Sequence, residues 1–103
     1  MRNPLDIWDV ILQPLRRRII EELCKKPSYI SELAKRLDVE RMDVVYHLSI
    51  LERAGLIESR YIVLEEPTPK GRIGKYYGVN KEKLKEGLKE IEAELEKLKK
   101  IVE

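Results

Sequence analysis

Apolar residues recur along the chain at two periods, and the change between them divides it into elements. Ile7, Val10 and Ile11 stand at helical spacing behind Asn3-Pro4, where Asn3 suits an N-cap, Pro4 a first helical position and Asp6 the first turn, so a helix is expected over residues 4–12. Pro14 opens a second helix for the same reason. Leu15, Ile19 and Leu23 form its apolar stripe with Ile20 and Cys24 beside them, and Pro27 ends it. Ile30, Leu33, Ala34 and Leu37 predict a short third helix with Ser28 or Ser31 as its cap. Only Asp38-Val39 separates it from a fourth, about Glu40 to Ala54, after which Gly55 suits a left-handed C′ position.

At 100° per residue, Val44, Leu48 and Leu51 share one face of the fourth helix with His47 on its flank. Met42, Val45, Tyr46, Ser49 and Arg53 lie opposite. Two short helices joined by so tight a turn, the second with a distinct outward face, form a helix-turn-helix pattern over residues 30–54. After Gly55 the period becomes two. Ile57, Ser59, Tyr61 and Val63 alternate with Glu58, Arg60, Ile62 and Leu64, which predicts a strand. A loop with two prolines, Glu65 to Arg72, leads to a return strand from Ile73 to Val79, making a hairpin with a basic tip over residues 57–79. Asn80 then caps a last helix to Glu103, about 36 Å long at 1.5 Å per residue. Leu84, Leu88, Ile91, Leu95, Leu98 and Val102 step by four and three along it as a heptad seam, and Glu86 and Lys89, Glu94 and Lys97, and Glu96 and Lys100 stand at supportive spacings. The expected fold is mainly α with a small β-hairpin: a winged helix-turn-helix unit over residues 1–79 and a long C-terminal dimerisation helix over residues 80–103.

Composition narrows the function classes. The 103 residues suffice for one domain, and 21 Lys or Arg against 19 Asp or Glu leave a formal charge of only +2, so net charge alone does not point to nucleic acid. Charge balances within residues 80–103, which places the whole excess in residues 1–79. No apolar run approaches the ~20 residues of a membrane span and no secretory segment leads the chain, so a cytoplasmic protein with no membrane partner is expected. One cysteine permits no internal disulfide and fits a reducing compartment. Scarce Gln and Asn beside abundant Lys, Arg and Glu resemble the bias of thermophile proteins. One Cys and one His cannot make a metal cluster, so no metal and no cofactor are expected, and Cys24, on an apolar stripe, is expected in the core. Neither nucleophile-and-base clusters nor phosphate-loop glycine spacing occur, so an enzyme is not expected. Gly87, inside the last helix at a cost of about 1 kcal/mol against Ala, implies a close approach there, with Trp8 of a partner chain as the candidate neighbour.

From about Pro14 to Val79 the chain resembles the winged helix-turn-helix regulators of the arsenical-resistance-repressor (ArsR) type. The pieces are Pro14-Leu15-Arg16-Arg17-Arg18-Ile19-Ile20, Ile30-Ser31-Glu32-Leu33-Ala34, Tyr46-His47-Leu48 with Leu51-Glu52-Arg53-Ala54-Gly55-Leu56-Ile57, and Gly71-Arg72 with Lys75-Tyr76-Tyr77, in order over about two thirds of the chain. The resemblance implies a homodimer whose first and last helices pair between subunits while the fourth helix enters the major groove of double-stranded DNA, and a role as repressor. Val45 departs from the family's small polar residue two positions before the histidine, and Glu40 and Asp43 put acid where phosphate would come.

On this reading Arg41, Met42, Val45, Tyr46 and Ser49 form the reading face, Arg41 toward a phosphate or guanine and the others toward base edges or sugars. Tyr46 has packing on the wing as its alternative, and His47 is a packing residue that touches a phosphate. Lys70, Arg72 and Lys75 of the wing, with Lys35 and Arg36, are the backbone candidates. Of Arg16, Arg17 and Arg18 at most two can reach DNA, the others pairing with acids. The expected dimer interface takes Ile7, Trp8, Ile11, Leu84, Leu88, Ile91, Leu95, Leu98 and Val102. The rival reading is a winged-helix protein-interaction module whose coiled-coil helix and apolar Met42 and Val45 dock a protein, with no specific DNA binding.

Overall fold

The computed structural model describes the backbone of residues 6–68 and 71–103, and the side chains of these apart from residues 65–68, 71 and 72. Eight elements follow in chain order: α1 Ile7–Leu12, α2 Pro14–Lys25, β1 Ser28–Tyr29, α3 Ile30–Leu37, α4 Arg41–Arg53, β2 Ile57–Thr68, β3 Gly71–Val79 and α5 Lys81–Val102. The mainly helical winged helix-turn-helix expectation holds. Helix α1 starts later than expected, with the Asp6 side chain accepting from the Trp8 backbone N–H as its cap; the expected Asn3-Pro4 start lies outside the described residues. Gln13 caps α2 by accepting from the Arg16 N–H, with Pro14 at the first turn.

Neither Ser28 nor Ser31 caps α3. Tyr29 occupies the N-cap position and its backbone N–H donates to Glu32 at 2.9 Å, while Ser28 is buried in a strand. That strand, β1, pairs antiparallel with β3 (Ser28 with Tyr77, Tyr29 with Tyr76), giving a three-stranded sheet in the order β1-β3-β2. The hairpin is longer than its sequence suggests. Strand β2 runs on to Thr68 and β3 begins at Gly71, with an irregularity in register between Val63 and Thr68, so the expected loop over residues 65–72 shrinks. Pro67 fits within β2 because the hairpin beyond the sheet's third strand has free edges. Gly55 takes φ +76° as the left-handed residue that ends α4.

The core gathers Val10, Ile19, Leu23, Leu33, Leu37, Val44, Leu48, Leu51, Leu56 and Ile57, with Ile91 of α5 and Tyr77 of β3 at its borders. Ile7 and Ile11 belong to this chain's own packing: Ile11 is 4% exposed, and both side chains sit over Gly87. The neighbour of Gly87 is therefore α1 of the same chain, not Trp8 of a partner, and Trp8 is half-buried against the core. A Cβ at position 87 would stand 2.6 Å from Ile7 Cγ1 and 3.2 Å from Ile11 Cδ1. Gly87→Ala gains about 1 kcal/mol of helix propensity but forces α1 outward against an overpacking cost of about 1–3 kcal/mol. Its melting temperature is expected to fall; the rise normal for an exposed helical glycine would show that α1 does not rest there.

Cys24 is exposed, contrary to the core expected for it. The flank of α2 that carries Ile20 and Cys24 faces α1 and α5, while Ile19 and Leu23 pack into the core. Cys24 instead lines an open hollow of about 590 Å³ with Ile11, Leu12, Ile20, Leu84 and Leu88. Beyond Ile91, α5 runs free of the domain. Leu95, Leu98, Ile101 and Val102 are exposed there, and the ion pair formed is Glu96 with Lys99 at 3.2 Å rather than Glu96 with Lys100.

Candidate nucleic-acid interface

The turn between α3 and α4 is closed by Asp38 in the left-handed conformation at φ +53°, a position an aspartate tolerates better than most residues. Its N–H reaches the Lys35 carbonyl, and the Val39 N–H reaches that of Ala34 at 3.1 Å. Helix α4 then packs on the core through Val44, Leu48 and Leu51. That burial dictates the opposite face. Met42 is 73% and Tyr46 60% exposed, Arg41 and Ser49 are exposed beside them, and Val45 is half-buried at the margin. Tyr46 stays off the wing and meets the His47 ring edge-on at 5.0 Å between centroids. The Ser49 hydroxyl donates to the Tyr46 carbonyl at 2.6 Å, leaving its oxygen lone pairs outward.

Several cations expected at DNA are held elsewhere. Arg16 and Arg18 hydrogen-bond to the ends of helices: Arg16 Nε donates to the Val10 carbonyl at 2.8 Å, and Arg18 donates to that of Leu37 at 3.2 Å. Helix C-termini leave carbonyls without intrahelical partners and carry the negative end of the dipole, so arginine suits both places. Arg36 bridges Glu22 at 3.2 Å and donates to the Ser28 hydroxyl, fastening α3 to α2 and β1. Its side chain is engaged in that joint although the residue, like Lys35 and Arg17, is exposed. The hydrogen bond from Lys25, together with Arg36 and Arg18 nearby, lowers the Glu22 carboxyl below its ordinary range.

The wing divides in the same way. Lys70 and the side chain of Arg72 lie outside the described residues. Lys75 turns back toward α4: its Nζ lies 3.6 Å from Glu52, 5.3 Å from the Tyr77 ring centroid and 5.9 Å from that of Tyr61. The Tyr77 hydroxyl, more than the nearby Glu52 and Tyr61, raises the Lys75 ammonium above its ordinary value. Glu52 also accepts from the Ser59 hydroxyl at 3.1 Å, so one carboxylate on α4 holds both wing strands. Lys75 therefore belongs to the wing root rather than its tip.

The period-2 pattern contained a surface that no charge marked. Ser59 and Lys75 share one face of the hairpin with Tyr61, Val63 and Ile73, and through Glu52 that face turns toward α4. Tyr61, Val63 and Ile73 are all well exposed, a continuous apolar strip beside the outward face of α4. Alternation announced the face; only the core's edge, ending at Ile57, decided that its outer half goes uncovered. Among the described residues no group of three or more His, Cys, Asp or Glu is placed to hold a metal ion, and no helix is long and apolar enough to cross a membrane.

Residues 11–60 match the family described as a helix-turn-helix domain. The chain is 37% identical over 59 residues to the HTH-type transcriptional regulator Rv2034 of Mycobacterium tuberculosis, covering 57% of this chain and 55% of that protein. It is 40% identical over 55 residues to the HTH-type transcriptional regulator MJ0229 of Methanocaldococcus jannaschii, covering 53% and 58%. The matched stretch thus spans little more than half of each relative. A crystal structure of an ArsR family transcriptional regulator superposes with a TM-score of 0.63 at 25% identity, over 93% of this chain and 91% of that one. These relatives are regulators rather than enzymes by name. With its helix-turn-helix at residues 30–53, its three-stranded sheet and its long last helix, the chain has a winged helix-turn-helix fold and is similar to a transcriptional regulator of the ArsR family.

Proposed function

We propose that the chain is a sequence-specific, double-stranded-DNA-binding transcriptional regulator that acts as a homodimer and represses by occluding a promoter. The observation that carries this reading is the two-sided α4, with Val44, Leu48 and Leu51 in the core and Arg41, Met42, Tyr46 and Ser49 presented outward next to the wing. A helix that projects one unburied face from a packed pair is the geometry that enters a major groove. Arg41 suits a guanine edge or a phosphate, Met42 and Val45 suit thymine methyl groups, and Tyr46 and Ser49 suit hydrogen bonds to base or sugar. The strip Tyr61, Val63 and Ile73 suits deoxyribose in the neighbouring minor groove, with Lys70, Arg72 and Lys35 for phosphates.

A second copy suits the hollow lined by Leu12, Ile20, Cys24, Leu84 and Leu88 and the uncovered Leu95, Leu98 and Val102. An apolar seam of that length has no place in water. Ile7 and Ile11, already packed on Gly87, add less to such an interface than their sequence pattern implied. A two-fold dimer would set its recognition helices about 34 Å apart on a palindromic site. Filter retention of a random duplex pool across a salt gradient tests the DNA reading. Retention is expected to weaken with salt at a log–log slope near −4, from about four to six phosphate contacts per dimer. A protein retaining no duplex even at low salt would overturn it and leave α4 and the wing as a protein-docking surface.

A further inference from the structure

His47 is the single histidine of the chain, and its Nδ1 lies 3.0 Å from an Arg16 Nη. A guanidinium offers five N–H donors and no acceptor, so this hydrogen bond runs in one direction, from Arg16 to Nδ1. A ring nitrogen that accepts holds no proton. The imidazole is therefore neutral and its hydrogen resides on Nε2. Arg16 cannot swing away, because its Nε and second Nη also donate to the Val10 and Asp9 carbonyls of α1, at 2.8 and 3.2 Å. Burial, reinforced by the Arg16 charge and opposed by Asp43, lowers His47 below the ordinary imidazole range.

Nε2 has no hydrogen-bond partner among the described residues, and no fully buried side-chain nitrogen or oxygen among them lacks one, so Nε2 is not sealed within the protein. His47 follows Tyr46 by one residue, a turn of about 100° away from the reading face. In a helix lying in a major groove, that direction leads to the groove wall, where the phosphates are. We propose that Arg16 fixes His47 as the Nε2–H imidazole and thereby makes it an uncharged hydrogen-bond donor to a DNA phosphate. This rests on the DNA-binding reading above and specifies the state in which one of its residues works. The same guanidinium ties α1 to α4, so the dimer platform and the phosphate donor share one joint.

An uncharged donor leaves a mark that a cation does not: it adds affinity and releases no counterion. Two measurements follow. In a long-range nitrogen–proton correlation spectrum of the free protein at pH 7, the single imidazole should show Nδ1 unprotonated and Nε2 protonated; a proton on Nδ1, or an average of both tautomers, overturns the assignment. Arg16→Gln should bring that averaging about. Should Arg16→Gln fail to fold, the wild-type spectrum still decides the tautomer. For the second measurement, a duplex recovered from the random pool is titrated with His47→Ala and His47→Gln at several salt concentrations. His47→Ala should lose about five- to tenfold in affinity with an unchanged salt slope, whereas His47→Gln, whose amide nitrogen can stand in for Nε2–H, should lose about twofold or less. A slope shallower by about one unit would mean a charged ring, and unchanged affinity in His47→Ala would mean no contact; either overturns the phosphate role. If the wild-type protein retains no duplex, the DNA reading itself fails, and the spectrum alone reports on the Arg16–His47 pair.

Discussion

Replacing Arg41 and Tyr46 together by alanine is expected to weaken binding to a selected duplex by about 30- to 300-fold while leaving the folding transition within about 2 °C of the wild type. On the proposed reading each side chain would make one direct contact to base or backbone, worth about 1–1.7 kcal/mol, and the two stand five residues apart on α4, far enough for near-additive losses. Neither takes part in the core, so stability has little reason to move: Tyr46 is 60% exposed and touches only the edge of His47. Arg41 stands at the start of α4, and its loss removes a positive charge that the helix N-terminus disfavours. Competition titration against an unrelated duplex provides the decisive comparison. Specific affinity should collapse onto the non-specific value, and a double variant that still discriminates between the two duplexes would move the reading face elsewhere.

The second large effect is expected at the free end of α5. Leu95→Asp with Leu98→Asp places two carboxylates on the proposed seam, removing about 1.5–3 kcal/mol of apolar burial per leucine and adding the cost of desolvating like charges. Sedimentation should show dimers of the wild type at micromolar concentration and monomers of the variant, a dissociation constant raised by more than 1,000-fold. Both positions are exposed within the protomer, so its fold should survive, with the far-ultraviolet helical signal lowered only by fraying beyond Ile91. DNA binding should fall with dimerisation, because one recognition helix on a half-site lacks the second site's effective concentration. A wild type that sediments as a monomer would remove the seam argument at once.

The sequence made the elements legible wherever a period of 3.6 or 2 persisted for more than about six residues: α2, α4, the inner half of the wing and α5. Strand β1 escaped because two residues, Ser28 and Tyr29, carry no period; their partner strand lies almost fifty residues away. The outward face of α4 was legible for a related reason, since Val44, Leu48 and Leu51 determine by geometry where Met42 and Tyr46 must point. The cations were not. Arg16, Arg18, Arg36 and Lys75 look like phosphate ligands in a list of residues, yet their partners are helix-end carbonyls, Glu22 and Glu52. A backbone carbonyl leaves no trace in residue identity. Cys24 failed similarly, because an apolar stripe reports that a flank is apolar and says nothing about whether a neighbouring element covers it. Gly87 announced a close approach correctly, and only the packing of α1 showed which side chains make it.

The short strand β1 has a mechanical meaning. At Tyr76 and Tyr77, strand β3 is bonded on both sides, to β1 and to β2, and the Tyr29 ring lies against Tyr76 and over Gly74. Outward of Gly74 the hairpin is a ribbon of two strands alone. The wing is therefore clamped at its root, where β3 is paired on both sides, and is held by one strand pair alone where Val63 meets Ile73. On the proposed DNA reading, that clamp would hold the wing and the outward face of α4 at one angle, so that the exposed strip and the helix face meet a duplex as a single unit.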